Sequence, residues 1–126
     1  MTAQPLRVLF CIGINQNFFD LPADGLTAGD VWKATVSMMD SLKALPGITF
    51  IGDIDDDSHM VGPSDGWPWT CYVLADADSQ DTVKAACNLF RTTPVGTGEA
   101  SLWRFAKVEA RIGRALTVRD DVDLPD

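Results

Sequence analysis

One histidine, one tyrosine and three cysteines are all that 126 residues contain of these types, and each scarcity narrows what the chain can be. Cys11, Cys71 and Cys87 are odd in number and far apart, each inside an apolar stretch. They read as small buried hydrophobes of a reducing compartment, not as a disulfide framework. Basic residues are also short: ten Lys+Arg stand against eighteen Asp+Glu, for a formal net charge of −8 and a pI near 4.4. Affinity for nucleic acid comes largely from neutralising phosphates, so this balance argues against nucleic acid and against an anionic membrane surface. No apolar run approaches the roughly 20 residues that a membrane helix needs. A secretory leader is not expected, because Val8–Ile14 is short for its apolar region, only Arg7 precedes it, and Asn15-Gln16-Asn17 follows. A nucleophile elbow, a phosphate-binding Gly-x-x-x-x-Gly-Lys and a Cys-x-x-Cys are all missing. The expectation is a soluble cytoplasmic protein.

What is present is ordinary globular material, 46% hydrophobic and 22% charged. The length predicts a single domain over 1–126, with a core over about 7–110 and a tail over 111–126. Arg7–Ile14 is β-rich and apolar on both faces, as in a central strand. Thr27-Ala-Gly-Asp30 offers an N-cap with an acid three residues on, and Val31, Thr35, Met38, Met39, Leu42 and Leu45 follow at helical spacing until Pro46-Gly47. Ile48–Ile54 predicts a second strand and Trp67–Ala75 a third, with Gly62-Pro63-Ser64-Asp65-Gly66 as a turn between them. Asp78 or Ser79 caps a second helix striped by Val83, Ala86, Cys87 and Phe90, ended by Thr92-Thr93-Pro94. Ser101–Ala110 alternates as a fourth strand. The order β-α-β-β-α-β is the split, ferredoxin-like α+β pattern: a four-stranded antiparallel sheet with two helices on one face.

Alternation leaves the other face of that sheet apolar. Val8, Phe10, Ile12 and Ile14 on strand one alternate with Leu9, Cys11, Gly13 and Asn15, Trp67, Trp69, Cys71 and Val73 on strand three with Thr70, Tyr72 and Leu74, and Leu102, Ala106, Val108 and Ala110 on strand four with Trp103, Phe105, Lys107 and Glu109, so neither set is polar enough to sit in water. A second copy packing face to face would cover such a patch as an isologous homodimer. The alternative cover is the chain's own Phe18–Phe19 loop and C-terminal tail.

The βαββαβ order, the Pro46-Gly47 stop and an aromatic third strand entering ADADSQDTVKAACNLF resemble the dimeric α/β-barrel superfamily of muconolactone isomerase-like, YCII-like and EthD-like small proteins. The segment TTPVGTGEASLWRFAKVEARIGRAL is similar to small proteins of bacterial aromatic-degradation clusters, including those for indole-3-acetate. The resemblance implies a barrel of two sheets, a pocket in each subunit, and chemistry on aromatic or cyclic small molecules without metal or organic cofactor.

Candidate chemistry rests on few residues. His59, just beyond an acidic run, has the proton affinity of a general base near neutral pH, or is a solvated loop histidine. Asp53 shares a predicted strand face with Thr49 and Ile51, and Glu109 one with Trp103, Phe105 and Lys107. A carboxylate among aromatics suits acid/base work on a carbon acid; the alternative for Glu109 is a Lys107 pair or an edge-strand charge. Arg104 would hold an anionic group of a ligand or pair with a protein carboxylate. Asn15, Trp67, Trp69, Tyr72 and Trp103 would shape a ligand site, or serve as turn, core and interface. The run Asp53, Asp55, Asp56, Asp57 fails as an EF-hand loop, since Ser58 stands in the glycine position and Ser64 in that of the last Glu; it reads as a solvated charge run at a strand end, with magnesium held by two of these acids as the alternative and no metal assigned. An RNA-recognition domain shares the element order but requires a basic, signature-bearing sheet that is missing here. Two functions remain: a cofactor-independent enzyme of aromatic or cyclic metabolite catabolism (isomerase, dehydratase or lactone-opening type), or a non-catalytic small-molecule-binding module of the same fold.

Overall fold

The structure is a computed structural model that describes residues 5–14, 26–56, 69–96 and 100–116. Among the described residues, six regular elements follow in the order β1 (Leu6–Ile14), α1 (Ala28–Ala44), β2 (Ile48–Asp55), β3 (Cys71–Ala77), α2 (Gln80–Thr92) and β4 (Ala106–Gly113), with a 3-10 turn at Leu102–Arg104 before β4. The strands form one antiparallel sheet in the order β2-β3-β1-β4. This is the ferredoxin-like α+β arrangement that the sequence pattern predicts.

The period-2 alternation of β1 explains why the helices lie where they do. Val8, Phe10 and Ile12 are fully buried and join Val73 and Ala75 of β3, Met38 and Leu42 of α1, and Ala86 and Phe90 of α2 in one core. Helix α1 starts in a complete capping box: the Asp30 N–H donates to Thr27 Oγ1 at 3.2 Å and the Thr27 N–H donates to Asp30 Oδ2 at 2.9 Å. It stops at a turn whose Gly47 has φ +91°, a conformation that side-chain-bearing residues rarely adopt. Ser79 caps α2 by accepting from the Thr82 N–H at 3.2 Å. Among the described residues no helix is long and apolar enough to cross a membrane.

Three local departures from the sequence reading matter for the site. The third strand begins at Cys71, not Trp67. There the hydroxyl of Thr70 accepts from the Ile14 N–H at 2.9 Å, so a side chain takes the place of a ladder carbonyl and the regular pairing ends. The fourth strand begins at Ala106, not Ser101, and runs on to Gly113. Leu102 and Phe105, three apart, are both buried, and that is the spacing of a turn, closed by the Phe105 N–H on the Leu102 carbonyl at 2.9 Å. Phe105 therefore belongs to the core, and Trp103 and Arg104 between these anchors are exposed. On β2 the register shifts between Phe50 and Gly52. Because a bulge resets the alternation, Asp53 faces the opposite way from Thr49, with which the sequence grouped it.

Candidate functional site

Along α1, Trp32, Thr35, Val36, Met39, Asp40 and Lys43 recur at intervals of three and four, so they form one continuous stripe. This stripe forms one wall of a cleft of about 530 Å³; the opposite wall comes from Asp53 and Asp55 of β2, Cys71 of β3 with the preceding Thr70, and Ile14 at the end of β1. Asp53 and Asp55 pair with Val73 and Cys71 in the register, which puts both on the helix-bearing side of the sheet. The cleft is thus bounded by apolar surface, with the carboxylates of Asp40, Asp53 and Asp55 and the ammonium of Lys43 placed on it. Trp32 is 63% exposed, an unusual amount of aromatic surface to leave in water.

Lys43 Nζ lies 3.8 Å from Asp53 Oδ2 and 4.6 Å from the centroid of the Phe50 ring. The Cys71 thiol is pushed up to about 11 by burial, with the carboxylates of Asp55 and Asp53 adding to the effect. It is a neutral thiol at physiological pH and a poor nucleophile. Among the described residues no three His, Cys, Asp or Glu side chains gather closely enough to hold a metal ion.

The candidate residues named from sequence fall in different places. Asp53 lines the cleft. Glu109 does not: it sits opposite Cys11 on the other face of the sheet, where its carboxylate meets Arg111 at 3.1 Å. Asp53 and Glu109 stand on the two edge strands, three spacings of about 4.8 Å apart and on opposite faces, so within one chain they cannot act as an acid/base pair. Tyr72 is also on the open face; its hydroxyl donates to Asp56 Oδ2 at 2.6 Å, and this bond leads the causes that push the phenol up to about 12. The Trp69 ring lies 5.4 Å from Lys107 Nζ. Trp103 is exposed on the 3-10 turn, and Arg104 beside it lies 5.4 Å from the Phe105 ring. His59, Asn15 and Trp67 are outside the described residues.

Sequence reasoning passed over Trp32, Asp40 and Lys43. Their signal was available: a large aromatic next to Val31 but outside the core stripe, followed at helical spacing by Val36, Asp40 and Lys43. On the far side of the sheet, Leu9, Tyr72, Leu74 and the buried Cys11 form an apolar centre. Charged side chains surround it: Arg7 paired with Asp76 at 2.5 Å, and Lys107, Glu109 and Arg111 along β4. No known protein family matches the chain, and no curated protein matches it in sequence. The structure establishes a ferredoxin-like sheet with a carboxylate-bearing cleft under its first helix.

Proposed function

We propose that the cleft under α1 binds a small aromatic or cyclic metabolite and that Asp53 moves a proton on it, in a reaction of the isomerase, dehydratase or lactone-opening type. The observation that carries this reading is the meeting of an exposed tryptophan, aliphatic walls and half-exposed carboxylates in one cavity of metabolite size. Asp55, two residues along the same strand face, takes the second acid/base place that Glu109 cannot reach. Proton transfer by a positioned side chain contributes about 10²–10⁴-fold, enough for an activated carbon acid, and requires no cofactor.

The ferredoxin-like order also supports membership of the dimeric α/β-barrel superfamily, with a homodimer formed across the open sheet face. The apolar centre at Leu9, Cys11, Tyr72 and Leu74 is what a second copy would cover.

A second reading draws on the separation of Asp53 from Glu109: a binding module that holds its ligand without turnover. Exchange of the α-protons of 1-indanone into D₂O, followed by NMR, separates the two. An enzyme accelerates exchange, and Asp53→Asn loses that acceleration while retaining affinity. Binding with no acceleration in the wild type supports the module. If 1-indanone and other bicyclic ketones fail to bind at all, the cleft is not the site.

A further inference from the structure

On the reading that the cleft is a small-molecule site, the charges on its walls also specify the sign of its ligand. We infer that the cleft selects aromatic or cyclic ligands bearing a cationic amine over their carboxylate counterparts. Among the described residues, three carboxylates line it, those of Asp40, Asp53 and Asp55, against the one ammonium of Lys43. That ammonium is already engaged, 3.8 Å from Asp53 Oδ2 and 4.6 Å from the Phe50 ring centroid. Asp40 and Asp55 form no ion pair among the described residues. A ligand carboxylate would meet two uncompensated like charges there, whereas an amine would meet two partners.

The other cations of the sheet are not at this cavity. Arg7 is committed to Asp76, Arg111 meets Glu109, and Lys107 and Arg104 sit against Trp69 and Phe105. Arg104, read from the sequence as the holder of an anionic group or the partner of a protein carboxylate, is not one of the described residues that line the cleft. Trp32, exposed on the α1 wall, adds an aromatic face of the kind that attracts ammonium groups. The hydroxyl of Thr35 already donates to the Val31 carbonyl at 2.9 Å, which removes one donor that an anion would use. The upward push on Cys71 reports the same negative field, second to burial. A net charge of −8 over the whole chain steers cations toward it. Apolar walls, and the lack of any three-ligand cluster among the described residues, favour an organic cation over a metal ion.

The test uses three probes with one apolar body: 1-naphthylmethylamine, 1-naphthylmethanol and 1-naphthoate. Affinities are measured by calorimetry in low salt, with the Trp32 indole N–H signal followed by NMR and assigned with Trp32→Phe. The expected order is amine, alcohol, carboxylate, with about tenfold or more between the first and last, narrowing as salt rises to about 0.5 M. Asp40→Asn and Asp55→Asn, both at exposed positions, each weaken the amine by roughly two- to fivefold and together bring the three probes close. Equal affinities, or tightest binding of 1-naphthoate, with the Trp32 signal still moving would overturn the charge preference and leave the cleft standing. Displacement of the amine by equimolar magnesium would overturn the organic-cation assignment. If no probe moves the Trp32 signal, the cleft itself is not the site, and both readings fall.

Discussion

Tyr72 is the only tyrosine of the chain, so its ionisation can be read directly from the phenolate absorbance. Its hydroxyl donates to Asp56, which stabilises the neutral phenol and, with burial, raises it to about 12 from an ordinary value near 10. The folded state thus binds this proton more tightly than the unfolded state, so the bond's contribution is complete below about pH 10 and is lost between about pH 10 and 12. Asp56→Asn returns the titration toward 10; a wild-type midpoint near 10 would contradict the geometry. Cys71, pushed up to about 11 from an ordinary value near 8.5–9, carries roughly a hundredth of the thiolate of a free cysteine at pH 8. Its alkylation by iodoacetamide, followed by mass spectrometry, is expected to be far slower in the folded protein than in urea. Asp53→Asn and Asp55→Asn speed it only modestly, because burial is the larger cause; equal rates in the folded and unfolded protein would refute the assignment. At this scale the sequence was a partial guide. Asp53 stood out because acids crowd the end of a strand, but Trp32, Asp40 and Lys43 did not, because each is unremarkable until the helix is wound and their shared stripe is set against β2.

Elements were more legible than sites, and the reasons are local. The capping box at Thr27 and Asp30 and the Pro46-Gly47 stop are signals written in adjacent residues, and α1 runs between them at Ala28–Ala44. The misreadings at β2 and β4 came from irregularities that alternation cannot register. One extra residue near Ile51 turned Asp53 to the helix side, and a 3-10 turn buried Leu102 and Phe105 at a spacing that simple alternation missed. The turn from α1 to β2 carries a specific prediction. A Cβ on Gly47 would come within 2.6 Å of Asp78 Oδ1, in a backbone conformation of φ +91°, while Asp78 is held by Ser79 and Thr82. Gly47→Ala is expected to destabilise the protein by about 1 kcal/mol or more in urea unfolding. Adding Asp78→Ala recovers the steric part and leaves the backbone part. An unchanged midpoint for the single variant would show that the turn differs from the one described.

For the whole molecule, topology follows from the count and order of elements, and the strand order β2-β3-β1-β4 is the one that a βαββαβ chain with right-handed crossovers adopts. The proposed homodimer would form across the open face, where an apolar centre at Leu9 and Leu74 lies within a charged surround. A homodimer of about 27 kDa, twice the 13.7 kDa chain, is expected in sedimentation velocity, and Leu74→Arg is expected to convert it to a folded monomer. A wild-type monomer would remove the dimeric barrel and leave the cleft, which is built from one chain. Ligand binding in that cleft is read by a ¹H–¹⁵N NMR titration with 1-indanone. The Trp32 indole and the amides of Thr35, Met39, Thr70 and Cys71 are expected to move together and saturate. Movement confined to Leu9, Leu74 and Glu109 on the opposite face, with the Trp32 signal fixed, would contradict it.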